Sequence, residues 1–311
     1  MPPYHTPVLL REAVDSLQCR PGGIYVDGTV GGAGHAEAIL EATAPDGILI
    51  AIDRDDEALV EARNRLAAFE ERVLLVKGNF ADMERLLHGL GFEQVEGILL
   101  DLGVSSHQLD LPERGFGFSQ DAPLDMRMDR SGGMDARTLI NTAPVGELAR
   151  IIREFGEERM AKRIARAIAA RRELTPIETT AELAALVSQV MPAHMRGYRI
   201  HPATRTFQAV RIAVNHELEN LRQGIKGGAA MLKSGGRLSV ISFHSLEDRI
   251  VKDAFVSGAK TCTCPPDLPV CVCGTQAQLK RITRKPIAAG AAEIAANPRA
   301  RSAKLRTVEK I

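Results

Sequence analysis

The stretch Val26-Asp27-Gly28-Thr29-Val30-Gly31-Gly32-Ala33-Gly34-His35 decides how this chain folds. It follows a short apolar strand, Gly23 to Val26, and leads into an Ala-rich helix from about Ala36 to Ala42. A second apolar strand, Gly47 to Ile52, then stops at Asp53. Strand, glycine turn, helix and strand form a βαβ unit with a carboxylate at each strand tip. Glycines at such a turn let backbone approach a ligand closely, and a carboxylate after the second strand accepts two ribose hydroxyls. The stretch therefore points to an adenosine-containing ligand.

The spacing narrows the ligand. A dinucleotide site places its pyrophosphate on a helix N-terminus through G-x-G-x-x-G. Here Val30 stands two residues after Gly28, so that spacing fails. Asp27 also precedes the turn, where a carboxylate repels a pyrophosphate and suits a cation. S-adenosylmethionine carries an ammonium and a sulfonium and meets both demands. A nicotinamide oxidoreductase is the least compatible reading. A glycine-rich turn without a ligand is the plain alternative, though it does not require four glycines beside two strand-end carboxylates.

Further apolar runs fit strands at Arg72 to Val76, Gly97 to Asp101 and Gly236 to Ser242. Helical periodicity lies at about 55–67 and 82–90. Alternating strands and helices predict a doubly wound, mostly parallel sheet. Residues 102–235 far exceed what a crossover requires. They read as an inserted domain with helices at 144–154, 157–172 and 179–190, preceded by an aperiodic loop from Leu111 to Met134. One long helix at about 204–224 returns to the sheet. A strand at 279–284 and a last strand, Lys304 to Glu309, predict a hairpin and an antiparallel edge strand. The expected division is a discontinuous domain of 1–110 with 204–311, and a helical insert of 111–203.

Composition bounds the function class. With 311 residues and 45% hydrophobic content, the chain can bury an ample core. No apolar run reaches the roughly 18 residues of a membrane span, and the N-terminus lacks the features of a secretion signal. A cytoplasmic site without membrane contact is the default expectation. The net charge of +1 conceals two basic stretches. Residues 280–310 hold nine basic residues against two acidic ones, and 150–172 hold eight against three. Such patches suit a polyanionic partner or a solvated helix face. The sequence is compatible with a homodimer and leaves the oligomeric state open.

Ligands of open α/β sheets bind beyond the carboxyl ends of the strands. Asp27, Asp53, Asp101 and Ser242-Phe243-His244 all stand at such ends. Asp101 is the first candidate catalytic acceptor, with Ser242 and His244 after it. Phe80, just past the third strand, is either an adenine shelf or a core aromatic. Phe243 or Phe116 is a candidate to stack on an extruded base.

Five motifs in order carry a family resemblance. They are Asp27 to His35, Asp101-Leu-Gly-Val-Ser-Ser-His-Gln-Leu109, Pro123-Leu-Asp-Met-Arg-Met128, His201-Pro-Ala-Thr-Arg-Thr-Phe-Gln-Ala-Val-Arg211 and Ser242-Phe-His-Ser-Leu-Glu-Asp-Arg249. Across essentially its whole length the chain resembles the bacterial ribosomal RNA small-subunit methyltransferase H family. The resemblance implies a class I S-adenosylmethionine-dependent fold, with a mostly parallel seven-stranded sheet and a helical insert. It implies methylation of the N4 amine of a decoding-region cytosine in 16S ribosomal RNA, within the small ribosomal subunit. It assigns cofactor contacts to Ala33, Gly34, His35, Asp53, Phe80, Asp101 and Gln108. Many amino-methyltransferases carry a Pro-Pro-aromatic turn after the fourth strand; Asp101-Leu102-Gly103-Val104 has no proline there. Two other readings are a methyltransferase of a different substrate and a non-catalytic assembly factor that senses the cofactor.

The cysteines stand apart from these motifs. Cys19 is isolated, whereas Cys262-Thr-Cys264 and Cys271-Val-Cys273 form C-x-C-x6-C-x-C. In a reducing compartment such a cluster favours metal over disulfides, although zinc sites usually show C-x2-C pairs. A structural metal, an ordinary exposed loop and redox pairing all remain open.

Overall fold

The computed structural model describes residues 7–192, 201–262, 264 and 273–311. It divides into two compact units, Met1–Gly103 with Leu218–Ile311, and Val104–Glu217.

The first unit is built on one sheet. Its strands are β1 (Ile24–Asp27), β2 (Ile48–Asp53), β3 (Val73–Lys77), β4 (Val95–Asp101), β5 (Leu232–Ser242), β6 (Leu279–Arg281), β7 (Ile287–Ala288) and β8 (Lys304–Lys310). The order is β3-β2-β1-β4-β5-β8-β6, with β7 also paired to β8. Pairings from β3 through β5 are parallel, and β8 runs antiparallel to β5, β6 and β7. The central strands are apolar on both faces because helices cover both faces. Leu49 and Ala51 join one core with Tyr25, Ile39 and Leu99, while Ile50 and Ile52 join another with Val26, Ile98 and Leu238.

The doubly wound sheet agrees with the reading of the sequence, with two refinements. There are eight strands rather than seven. The reversed strand is the last one, as expected, but it lies inside the sheet, between β5 and β6, rather than at its edge. The physical reason is the connection. Residues 282–303 hold β7 and a helix at Ala291–Ala296 rather than a tight turn, and both β6 and β7 pair with β8.

The second unit is helical, with helices at Ala136–Thr142, Val145–Gly156, Ala161–Leu174, Thr180–Val190 and Thr204–Asn215. Its own core gathers Ile140, Leu148, Ile164, Ile168, Leu183 and Val210. The boundaries differ from the expected 111 and 203. The Thr204–Asn215 helix packs on Val145–Gly156 and belongs to the insert. The single helix expected over 204–224 is two. His216 adopts a left-handed φ of 52° and ends the first, and the second runs Glu217–Met231.

The loop at 111–134 lacks periodicity because polar groups hold it instead. Arg114 is 1% exposed, and its guanidinium donates to the carbonyls of Arg127 and Met128. Asn215 accepts from Met128 N at 2.9 Å and donates to Met126 O at 2.7 Å. Asp125 receives two hydrogen bonds from the Arg127 guanidinium. Among the described residues, no helix is long and apolar enough to cross a membrane.

Candidate active site at the strand tips

The strand order reverses between β1 and β4, and the tips of these strands form the switch point. Backbone continues past each strand and ties the tips together. Gly28 N donates to Leu99 O, Val30 N to Ile52 O, and Leu102 N to Ile241 O. Thr29 Oγ1 accepts from Asp101 N at 2.7 Å, so the glycine turn and the β4 tip are fastened directly.

The glycines of the turn have separate jobs. A Cβ at Gly28 would lie 2.5 Å from the Leu100 side chain, and one at Gly34 would lie 2.8 Å from Pro7. Both positions are closed by packing within the protein. Ala33 sits in the left-handed region at φ 58° and immediately precedes the Gly34–Ala42 helix.

Three carboxylates meet at these tips, and all are held above the usual carboxylate range. Asp27 is 1% exposed and accepts from Thr29 N and the Thr29 hydroxyl; burial, reinforced by Asp53, still pushes it up to about 7. Asp53 accepts from Gly31 N and Asp55 N, each at 2.9 Å, yet burial still raises it. Asp101 is raised well above the usual range, first by burial and then by Asp27 and Glu247. Among the described residues, none of the three has a Lys or Arg ion pair. Burying like charges without cations disfavours the ionised forms.

Asp101 shows the consequence at atomic detail. Its Oδ1 is buried without a hydrogen-bond partner among the described residues. Its Oδ2 lies 3.6 Å from His35 Nδ1. On its other side, His35 Nε2 stands 3.0 Å from Val8 O, a carbonyl that can only accept. The ring therefore carries hydrogen at Nε2, and a single proton between Nδ1 and Oδ2 relieves lone-pair repulsion. A cation brought to this pocket would restore the carboxylates and fill the empty valence at Oδ1. The residues present thus fit a ligand that combines positive charge with hydroxyls.

The remaining sequence candidates distribute as follows. Phe80 is half-buried beside the core, and its ring faces Gly224, where an added Cβ would meet it at 2.4 Å. Phe80 is thus at once core aromatic and strand-tip residue. Gln108 belongs to the helical unit, where its side chain accepts from Ser105 N and its N–H donates to Ser105 Oγ. Ser242 is buried, with its hydroxyl turned to the Lys304 carbonyl of β8 at 3.4 Å. His244 caps the Ser245–Gly258 helix and accepts from Glu247 N through Nδ1. Phe243 packs with the sheet core and faces Gly103, and Phe116 is buried in the helical unit's core.

Glu247 is the residue that sequence reasoning missed. It is 2% exposed and accepts from Phe243 N and His244 N, with its other oxygen 3.2 Å from His244 Nε2. The signal was present: His244 and Glu247 stand at the N-cap and N3 spacing of a capping box. It went unread because His is not a usual member of that motif.

The basic stretches also separate. Arg159, Lys162, Arg163 and Arg166 are exposed and have no carboxylate partner among the described residues. Arg150 instead pairs with Glu147 and Glu154, and Arg171 lies near Glu182. In β8, Lys304 and Arg306 are bound to Asp248, and Lys280 of β6 is bound to Glu309. Three of the nine basic residues of the C-terminal stretch, Lys280, Lys304 and Arg306, therefore serve the fold.

Comparison with known proteins adds to this geometry. The model of the MraW methylase family matches residues 3–311. A protein named ribosomal RNA small subunit methyltransferase H from Citrifermentans bemidjiense is 58% identical over 308 residues, covering 99% of both chains. One of the same name from Syntrophus aciditrophicus is 58% identical over 308 residues, covering 99% of this chain and 98% of that one. A third, from Geobacter sp. strain M21, is 57% identical over 308 residues and covers 99% of both.

Proposed function

Because the chain belongs to the MraW methylase family, we propose that it transfers a methyl group from S-adenosylmethionine to the N4 amine of a decoding-region cytosine in 16S ribosomal RNA. The observation that carries this reading is the set of carboxylates at the strand tips held above their usual range, with Asp101 Oδ1 buried without a hydrogen-bond partner among the described residues. The relatives' names supply the substrate class. A ribosomal substrate puts the reaction in the cytoplasm and makes the assembled small subunit the natural form to offer.

Bound S-adenosylmethionine supplies a methyl group already activated on a sulfonium. The protein's task is then to hold, orient and deprotonate. In this reading Asp53 takes the ribose hydroxyls, while Asp27 faces the cationic end of the ligand. Phe80 borders the adenine, and the backbone of Ala33 and Gly34 passes the methionine moiety. His35 stands beside Asp101 and orients it.

The cytosine amine is a weak nucleophile because its lone pair is delocalised into the ring. Positioning it in line with the methyl lowers the barrier. The positive ligand draws Asp101 back to its ionised form. Its carboxylate accepts one amine hydrogen during attack and takes that proton as the new N–C bond forms. We assign this role to Asp101 rather than to Ser242, whose hydroxyl is turned to the Lys304 carbonyl, or to His244, whose Nδ1 accepts from Glu247 N and whose Nε2 lies 3.2 Å from the Glu247 carboxylate.

The test is incubation of the protein with small ribosomal subunits and methyl-labelled cofactor, followed by mapping of the label. Label at N4 of a single cytosine in the decoding region is the expected result. Label on protein, on a small molecule or on another base would overturn the substrate assignment. Cofactor binding with no label transferred would favour an assembly factor.

A further inference from the structure

The cysteine motif lies apart from the chemistry above. We propose that Cys262, Cys264 and Cys273 bind a zinc ion that closes the base of the loop between the Ser245–Gly258 helix and β6. Cys271 lies outside the described residues, and the proposal stands on the other three.

The geometry comes first. The three Sγ atoms all lie within 4.8 Å of one another. Cys273 Sγ is 3.8 Å from Cys262 Sγ, and Cys264 N donates to Cys262 Sγ at 3.4 Å. All three are free of disulfides. A disulfide would hold its sulfurs at about 2.05 Å, so the observed spacing belongs to separate thiols. A tetrahedral zinc with Zn–S of about 2.3 Å sets its sulfurs about 3.8 Å apart. The Cys262–Cys273 separation already has that value. The backbone N–H on Cys262 Sγ supports negative charge on a ligating sulfur, as outer hydrogen bonds do at metal sites. Thiolates select zinc over the hard cations.

The fold supplies the reason. The loop's two ends already meet, since Gln278 N donates to Gly258 O at 3.0 Å and Gln278 O accepts from Ile311 N. Beyond that contact, the described part of 259–278 forms neither helix nor strand, and Cys262 and Cys273 are exposed. A loop of this length gains order most readily from a covalent or metal tie. Zinc joining Cys262 and Cys264 to Cys273 extends the closure outward from Gly258 and Gln278. The motif's C-x-C spacing suits this, because the two close thiols lie on one side of the loop and Cys273 on the other.

The tie is separate from methyl transfer. The Ser245–Gly258 helix has its first residue beside the strand tips and its last beside the loop. Its 14 residues span about 21 Å. Metal removal is therefore expected to leave cofactor affinity in place.

The experiment uses the full chain, purified under reducing conditions. Metal content is read by elemental mass spectrometry, and zinc is titrated against a chromophoric chelator. Cobalt(II) is then substituted and its absorption recorded. About one zinc per chain is expected, with thiolate-to-cobalt charge transfer and the intense visible bands of a tetrahedral site. Cys262→Ser and Cys273→Ser should each weaken zinc binding by about 10²-fold. Cys19→Ser should change nothing, because burial pushes that thiol up to about 12 and keeps it protonated. Substoichiometric zinc after titration, iron in its place, or a Cys262–Cys273 disulfide in the reduced preparation would each overturn the proposal. The cobalt spectrum of the unsubstituted protein decides the matter even where a serine variant fails to fold.

Discussion

In the sheet unit, Asp27 is buried and Asp53 and Asp101 largely withdrawn from water, and among the described residues none has a Lys or Arg ion pair. In the helical unit, Arg159, Lys162, Arg163 and Arg166 stand in solvent without a carboxylate partner among the described residues. Both regions carry charge that the protein does not neutralise, but the physics differs. Buried charge answers with its protonation state, since desolvation is large and salt cannot reach it. Exposed charge stays ionised and is screened by salt over about 8–10 Å. One arrangement suits a small cation bound in a fixed place, and the other a polyanion met over a broad face.

The comparison yields experiments that separate the two regions. The largest effect is expected at Asp101. Asp101→Asn keeps the shape and removes the acceptor. Single-turnover methylation at saturating cofactor should slow by about 10²-fold or more, the scale of a positioned acid or base. A rate near that of the unaltered protein would leave Asp101 as a ligand-holding group only. Next comes Asp53→Ala, measured by calorimetry. Losing the ionic hydrogen bonds to ribose should cost about 1.5–3 kcal/mol of cofactor binding, with RNA affinity untouched.

On the opposite side, reversing Arg163 and Arg166 to Glu should weaken ribosomal-particle binding about tenfold and flatten its salt dependence. Cofactor affinity should not move. If particle binding survives, the helix face is merely solvated.

The smallest effect concerns stability. Asp27 is raised in the folded protein to about 7 from 3.8, so between those values the native state holds more protons than the unfolded state. Stability from this group falls as pH rises through that window and is constant above it. Asp27→Asn should therefore raise the melting temperature of the ligand-free protein at pH 8. A gain of about 3 °C corresponds to roughly 1 kcal/mol. The same change should weaken cofactor binding. A lower melting temperature at pH 8 would mean that the buried carboxylate is not a liability.

The sequence revealed the strand tips well and the details around them poorly. Asp27, Asp53 and Asp101 were legible because strand-end position follows from apolar runs alone. Ser242 and His244 occupied equally legible positions, but their hydrogen bonds depend on β8 and on Glu247, which no periodicity announces. The break at His216 was hidden because the apolar pattern continues across it. Similarly, Arg114 and Asn215 hold the 111–134 loop through carbonyls, and carbonyls carry no sequence signature. The interior position of β8 rests on its pairing with both β5 and β6, a choice of partners that no apolar run announces.

The discontinuity of the sheet unit also bears on how the chain is made. β4 is synthesised before the inserted unit and its neighbour β5 after it, whereas the inserted unit is contiguous. The helical unit can thus complete its core while the sheet is still half built. During that interval β4, with Ile98, Leu99 and Leu100, presents a bare apolar edge, the kind of surface on which nascent chains aggregate. Helper proteins that shield nascent chains would find their binding segment there, and slowing translation through the insert would lengthen the exposure.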